Sequence, residues 1–187
     1  MAQDSTPKCR ILPSPRSKLH QMKYVTIDPT SDQPDLLAVS TEDGRVIFYS
    51  TTKTQQPEDN ADSPIPFAVS VAELGGKSCG LPGRVKDFEI FNLKEYPAAK
   101  TDGLLVVTGN SAGAVRIWSV NAKDLSGNGQ VGKLLNTYET GSRITCLKSF
   151  VMLPPEDPST LDKLDDDDDD EEEDASEDSS SEDSAAE

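Results

Sequence analysis

The sequence predicts an all-β protein carrying an acidic appendage, and three observations support that expectation. From Tyr24 to Leu153 the apolar residues come in runs of four to seven, separated by Gly, Pro, Asp, Asn and Ser. No stretch sustains a helical period over three turns, so the runs read as short strands joined by turns. Two segments within this region are near copies of one another. Lastly, the charge is segregated. Residues 165–187 hold 15 of the 34 acids and none of the 18 bases, which leaves 19 acids against 18 bases elsewhere.

Taken in chain order, residues 1–22 read as an N-terminal linker, 23–153 as the strand region and 154–187 as a disordered tail. The first hairpin is Leu36-Leu37-Ala38-Val39-Ser40-Thr41-Glu42-Asp43-Gly44-Arg45-Val46-Ile47-Phe48-Tyr49-Ser50. The second runs from Leu104 to Ser119 and closes on Ala114-Val115-Arg116-Ile117-Trp118-Ser119, with one extra residue expected in its turn. Gly44 and Gly113 provide the positive φ that a tight hairpin requires. A shorter string, Gly83-Arg84-Val85-Lys86-Asp87-Phe88, is echoed by Gly141-Ser142-Arg143-Ile144-Thr145-Cys146-Leu147, and each would open a strand. Ile65–Ser70 and Leu134–Tyr138 are the outer strands that follow the hairpins. Each unit is thus an opener, a hairpin and an outer strand. Tyr24–Ser70 forms one unit, Arg84–Tyr138 a second, and Arg143–Leu153 opens a third.

Composition also narrows function. No run approaches the ~18 apolar residues of a membrane span, and Met1-Ala2-Gln3-Asp4 lacks the basic-then-apolar layout of a secretory leader. Cys9, Cys79, Cys146 and the single His20 are too scattered for a four-ligand metal cage, and reduced thiols fit a cytosolic or nuclear compartment. No hydrolytic triad suggests itself. Gly75-Gly76-Lys77-Ser78 ends like a phosphate-binding loop, but Val71 stands where its first glycine belongs, so the segment reads as an ordinary loop. Neither catalysis, a cofactor nor a small-molecule substrate is expected. The tail has no large apolar residue, and its ten consecutive carboxylates from Asp165 to Asp174 repel one another, so nothing offsets the entropy of ordering it. It would serve as a solubilising appendage or as a polyanion for basic partners. Ser176, Ser179 and Ser180 lie in an acidic context resembling that of acidophilic kinase sites, where phosphate would deepen the charge.

The alternation of opener, hairpin and outer strand resembles the WD40 repeat, whose β-propeller blades are four-stranded antiparallel sheets. An unrelated β-sandwich with two similar hairpins is the competing fold. On the WD40 resemblance, Tyr49-Ser50 and Trp118-Ser119 stand at the Trp-Asp position, Ser40 and Thr108 at the hydroxyl position, and Asp43 at the turn acid. Both dipeptide aspartates are missing, Ala112 replaces the second turn acid, and no His follows Gly83. Gly44 and Gly113 lie 69 residues apart, longer than the family's ~40–45, which polar insertions at 51–64 and 75–82 would explain. About two and a half blades cannot close a ring of four to eight. The chain is therefore expected to be the C-terminal part of a longer propeller.

The two opener strings followed by an acidic tail are similar to the p21-activated kinase-interacting protein 1-like WD-repeat family, over about Lys8–Phe150. Pro13-Ser14-Pro15-Arg16-Ser17-Lys18-Leu19-His20 is compatible with a linker entering its later blades. The resemblance implies a non-catalytic nucleolar scaffold in large-subunit (60S) ribosome biogenesis and pre-rRNA maturation. Its partners would be pre-ribosomal proteins and pre-rRNA. The same family suggests docking on a protein kinase, and the acidic tail suggests a histone-binding chaperone. Arg84, Lys86, Arg143 and Lys148 are the candidate partner-binding residues, with neighbouring carboxylates as their competing use. Tyr49 and Trp118 read as core packing.

Overall fold

The computed structural model describes residues 7–57, 65–79, 81, 83–96 and 102–152. The chain divides into two units, Met1–Ser149 and Phe150–Glu187. Of the second, only Phe150, Val151 and Met152 are described, all exposed, so the tail assigned to 154–187 lies outside the described residues.

Met1–Ser149 folds into two β-sheets, and the described residues contain no α-helix. The first sheet is an antiparallel meander of β1 (Leu19–Val25), β2 (Leu36–Thr41), β3 (Arg45–Gln55) and β4 (Phe67–Gly75). The second is the meander β5 (Val85–Asn92), β6 (Leu104–Asn110), β7 (Ala114–Val120) and β9 (Lys133–Glu139). Between β7 and β9 the chain crosses over. There β8 (Gly129–Val131) pairs in parallel with β4 and ties the chain of the second sheet to the first sheet's outer edge.

Four expectations need correction. β1 begins at Leu19, inside the segment assigned to the linker. β4 runs on to Gly75 because Val71, Ala72 and Leu74 all reach the core, so its end is structural where a loop was expected. The extra residue of the second hairpin lies in β6 rather than in the turn. Both turns hold three residues, with Thr41 Oγ1 accepting from Arg45 N (3.0 Å) and Asn110 Oδ1 accepting from Ala114 N (2.8 Å). The register of β5 on β6 slips between Val85 and Asp87, as that of β1 on β2 does between Leu19 and Met22. Finally, Gly141–Leu147 is not a strand: a strand needs a ladder partner, and Leu147 N donates instead to the Asp87 carboxylate (2.9 Å).

The hairpin strands of the first sheet are apolar on successive residues because both of its faces are covered, whereas on the second sheet Leu105, Val115 and Ile117 of the outer face are only partly buried. One core lies between the sheets. It joins Leu36, Ala38, Val46, Phe48 and Leu74 of the first to Phe88, Leu104, Val106, Trp118 and Val120 of the second. A smaller cluster lies on the other side of the first sheet, where Val39, Ile47 and Tyr49 pack with Ile11, Leu19, Leu37 and Ala68. Tyr49 and Trp118 occupy the same place in their hairpins, four residues past the strand start. Yet Trp118 faces the core between the sheets and Tyr49 faces away from it. The two sheets therefore stack head to tail, equivalent faces pointing the same way. A sandwich of two copied sheets would bring those faces together.

The same translation governs the edges. Residues of β1 meet residues 66 positions later on β5: Gln21 Nε2 donates to Asp87 Oδ1 (3.4 Å), and Lys23 pairs with Glu89. Just past β1, Asn92 Nδ2 donates to Thr26 O (2.9 Å). The next step repeats it, with Lys148 Nζ on Glu89 Oε1 (2.9 Å), 59 residues on. A Cβ on Gly44 would lie 2.6 Å from Gly83 O, and one on Gly113 would lie 2.7 Å from Ser142 O. Residues 142–148 thus run along the second sheet where 83–89 run along the first.

Candidate functional site

Of the residues proposed for partner contact, Arg84 and Lys86 meet on the rim formed by the hairpin turns and the starts of β1 and β5. Glu42, the first residue of the β2–β3 turn, is the hub. His20 Nε2 and Arg84 Nε lie on its two carboxylate oxygens, and Lys86 Nζ is 4.0 Å away. Partial burial alone would raise the Glu42 carboxyl. The His20 hydrogen bond and the charges of Arg84, His20 and Lys86 outweigh it and hold the group below the ordinary glutamate range. Lys86 Nζ also lies 3.3 Å from His20 Nε2.

Glu89 forms a second hub on the β1–β5 edge, between Lys23 and Lys148. Desolvation opposes its ionisation, but hydrogen bonds from the two lysines dominate and keep it low. The same contact raises Lys148. Of the four candidate cations, then, Arg84, Lys86 and Lys148 already have carboxylates. Arg143 is exposed and has no ion pair among the described residues.

The residues expected to support the hairpins divide in two. In the second, Trp118 Nε1 donates to Thr108 Oγ1 (3.1 Å), both buried. In the first, Ser40 Oγ accepts instead from Gln21 N (3.1 Å), and the Tyr49 hydroxyl is buried with no partner among the described residues. Ser40 points to the opposite side of the sheet from Tyr49, because the shorter β2 puts Val39 where β6 has Thr108. Burial pushes the Tyr49 phenol up to about 12. Asp43 does act in its turn, accepting from Thr41 Oγ1 and clamping Arg45. Arg45, nearly fully buried, also reaches Glu73 (2.8 Å) and the carbonyls of Ser14 and Pro15 (2.9 Å each). It thereby anchors the chain entering β1 to the turn.

Sequence reasoning missed Glu42, His20, Glu89 and Arg45. The 66-residue offset between 17–23 and 83–89 was the signal for His20 and Glu89, while nothing local marks Glu42 or Arg45. Ser176, Ser179 and Ser180 lie outside the described residues. Among those described, no three His, Cys, Asp or Glu side chains group to hold a metal, and Cys9, Cys79 and Cys146 are exposed thiols. The seam between the sheets encloses about 10 Å³, the space of one water. The site is thus a charged rim on a well-packed support, suited chemically to holding oxyanions or cations of a partner. In comparisons with known families, curated proteins and solved structures, the chain matches none.

Proposed function

We propose that the two sheets are successive blades of a WD40-type propeller and that the chain is a non-catalytic scaffold in nucleolar assembly of the large ribosomal subunit. The observation that carries the fold part is the head-to-tail stacking of equivalent faces, which is how blades succeed one another around a ring. The Trp118–Thr108 hydrogen bond agrees with it, since WD40 blades pair a tryptophan and a hydroxyl across these two strands. Two sheets do not close a ring. On this reading further blades complete it, and residues 142–148 begin the next one.

The assembly role rests on the opener strings Gly83–Phe88 and Gly141–Leu147, whose arginines each follow a residue that packs against a hairpin turn. A rigid sheet stack with charged turns can hold several macromolecular partners without a reaction centre. Affinity purification of the tagged chain under native salt tests it. Co-purified large-subunit assembly factors with precursor rRNA are the expected outcome. Recovery of histones alone, or of a protein kinase without ribosomal precursors, would replace this role with one of the other two.

A further inference from the structure

The three opener positions are equivalent in the structure, but the carboxylate that serves them is not repeated. Lys18 O accepts from Glu42 N (2.8 Å), and 66 residues later Arg84 O accepts from Ser111 N (2.9 Å). Glu42 and Ser111 therefore hold the same place, first in the turn between the two hairpin strands. In the first seam, the Glu42 carboxylate reaches forward to Arg84 of the following opener, with His20 behind it and Lys86 beside it. In the second seam the following opener contributes Arg143. Its position is set by Ser142 O against Gly113, as that of Arg84 is set by Gly83 O against Gly44. The turn there offers the Ser111 hydroxyl, half-buried, and Lys86, which corresponds to His20 in the repeat, turns its ammonium back toward Glu42 and His20 of the first seam.

The second seam thus keeps the arginine and loses the glutamate, with Thr145 standing where Lys86 stands one repeat earlier. Arg143 is exposed and unpaired among the described residues, and the only carboxylate on Lys86 is Glu42 at 4.0 Å. We propose that this niche, bounded by Ser111 and Arg143, receives a carboxylate from an acidic segment of a partner protein. That side chain would lie where Glu42 lies one repeat earlier. A carboxylate is favoured over a phosphodiester because the protein's own occupant of the equivalent place is a glutamate, held by one arginine and one imidazole. The inference rests on the observed repeat and not on the ribosomal role.

Fluorescence anisotropy of the full chain with a labelled octaglutamate peptide tests this at low and at physiological salt, since contacts of this kind weaken with screening. The chain is expected to bind, and Ser111→Glu, which restores the missing carboxylate in cis, should weaken binding about fivefold, as should Arg143→Gln. Glu42→Ser should strengthen it by opening an equivalent niche in the first seam. A thermal melt of each variant separates lost folding from lost binding. Failure of the wild-type chain to bind the peptide would overturn the proposal. So would affinity unchanged in both Ser111→Glu and Arg143→Gln, or binding of a uridine-rich RNA through these residues in place of the peptide.

Discussion

Tyr49 shows at the residue scale what it costs to vary a repeat. In the second hairpin a tryptophan N–H finds Thr108. In the first, Tyr49 fills the same place but Val39 has replaced the hydroxyl, and the phenol is left buried without a partner among the described residues. An unsatisfied buried polar group costs about 1–3 kcal/mol. Tyr49→Phe keeps the ring and removes that group, so the chain should become more stable, by up to about 1 kcal/mol once the small loss of contact is counted. Chemical denaturation of the two proteins checks this. A large destabilisation would mean that the hydroxyl is bonded in solution.

The seams operate at the scale of elements. Gly44 has φ +90° and its turn presses on the Gly83 carbonyl, so Gly44→Ala combines backbone strain with a contact that only main-chain movement relieves. Gly141 also has positive φ (+69°) but nothing within 4 Å of a Cβ. Gly141→Ala should cost about 1 kcal/mol, the strain alone, and Gly44→Ala clearly more. Equal losses would show that the turn and the opener do not touch. These elements were unequally legible in the sequence. The hairpins were, because a glycine between two apolar runs is a local signal. β4 beyond Ser70 was not, since Val71-Ala72-Glu73-Leu74 leads into a glycine pair that reads as loop. β8 was hidden because Gly129-Gln130-Val131 acquires strand geometry only against β4. Residues 143–147 showed the opposite fault, with an opener's composition but no ladder partner. The Glu42 hub draws on positions 20, 42, 84 and 86 and exists only once the sheets are stacked.

At the scale of the whole molecule, the rim and edge charges link stability to pH. Glu42, Asp43 and Glu89 are all depressed in the folded state. A group with a lowered folded pKa contributes stability above its unfolded value, and the contribution disappears as pH falls through the folded one. The denaturation midpoint should therefore hold steady at neutral pH and decline once pH drops below the ordinary glutamate and aspartate values of 4.5 and 3.8. Glu89→Gln should flatten the decline. An unchanged pH profile in that variant would mean the Lys23–Glu89–Lys148 cluster carries no linkage.

The stacking direction of the two sheets underlies both the propeller reading and the assignment of the rim. Nuclear Overhauser contacts from the aromatic side chains test it most directly. The Trp118 indole should show contacts to Gly75 of the first sheet, whose added Cβ would lie 3.9 Å from the Trp118 ring. The Tyr49 ring should show contacts only to its own sheet and to the chain entering β1. Contacts between Tyr49 and β6 or β7 would place the equivalent faces against each other, and the head-to-tail account would be wrong.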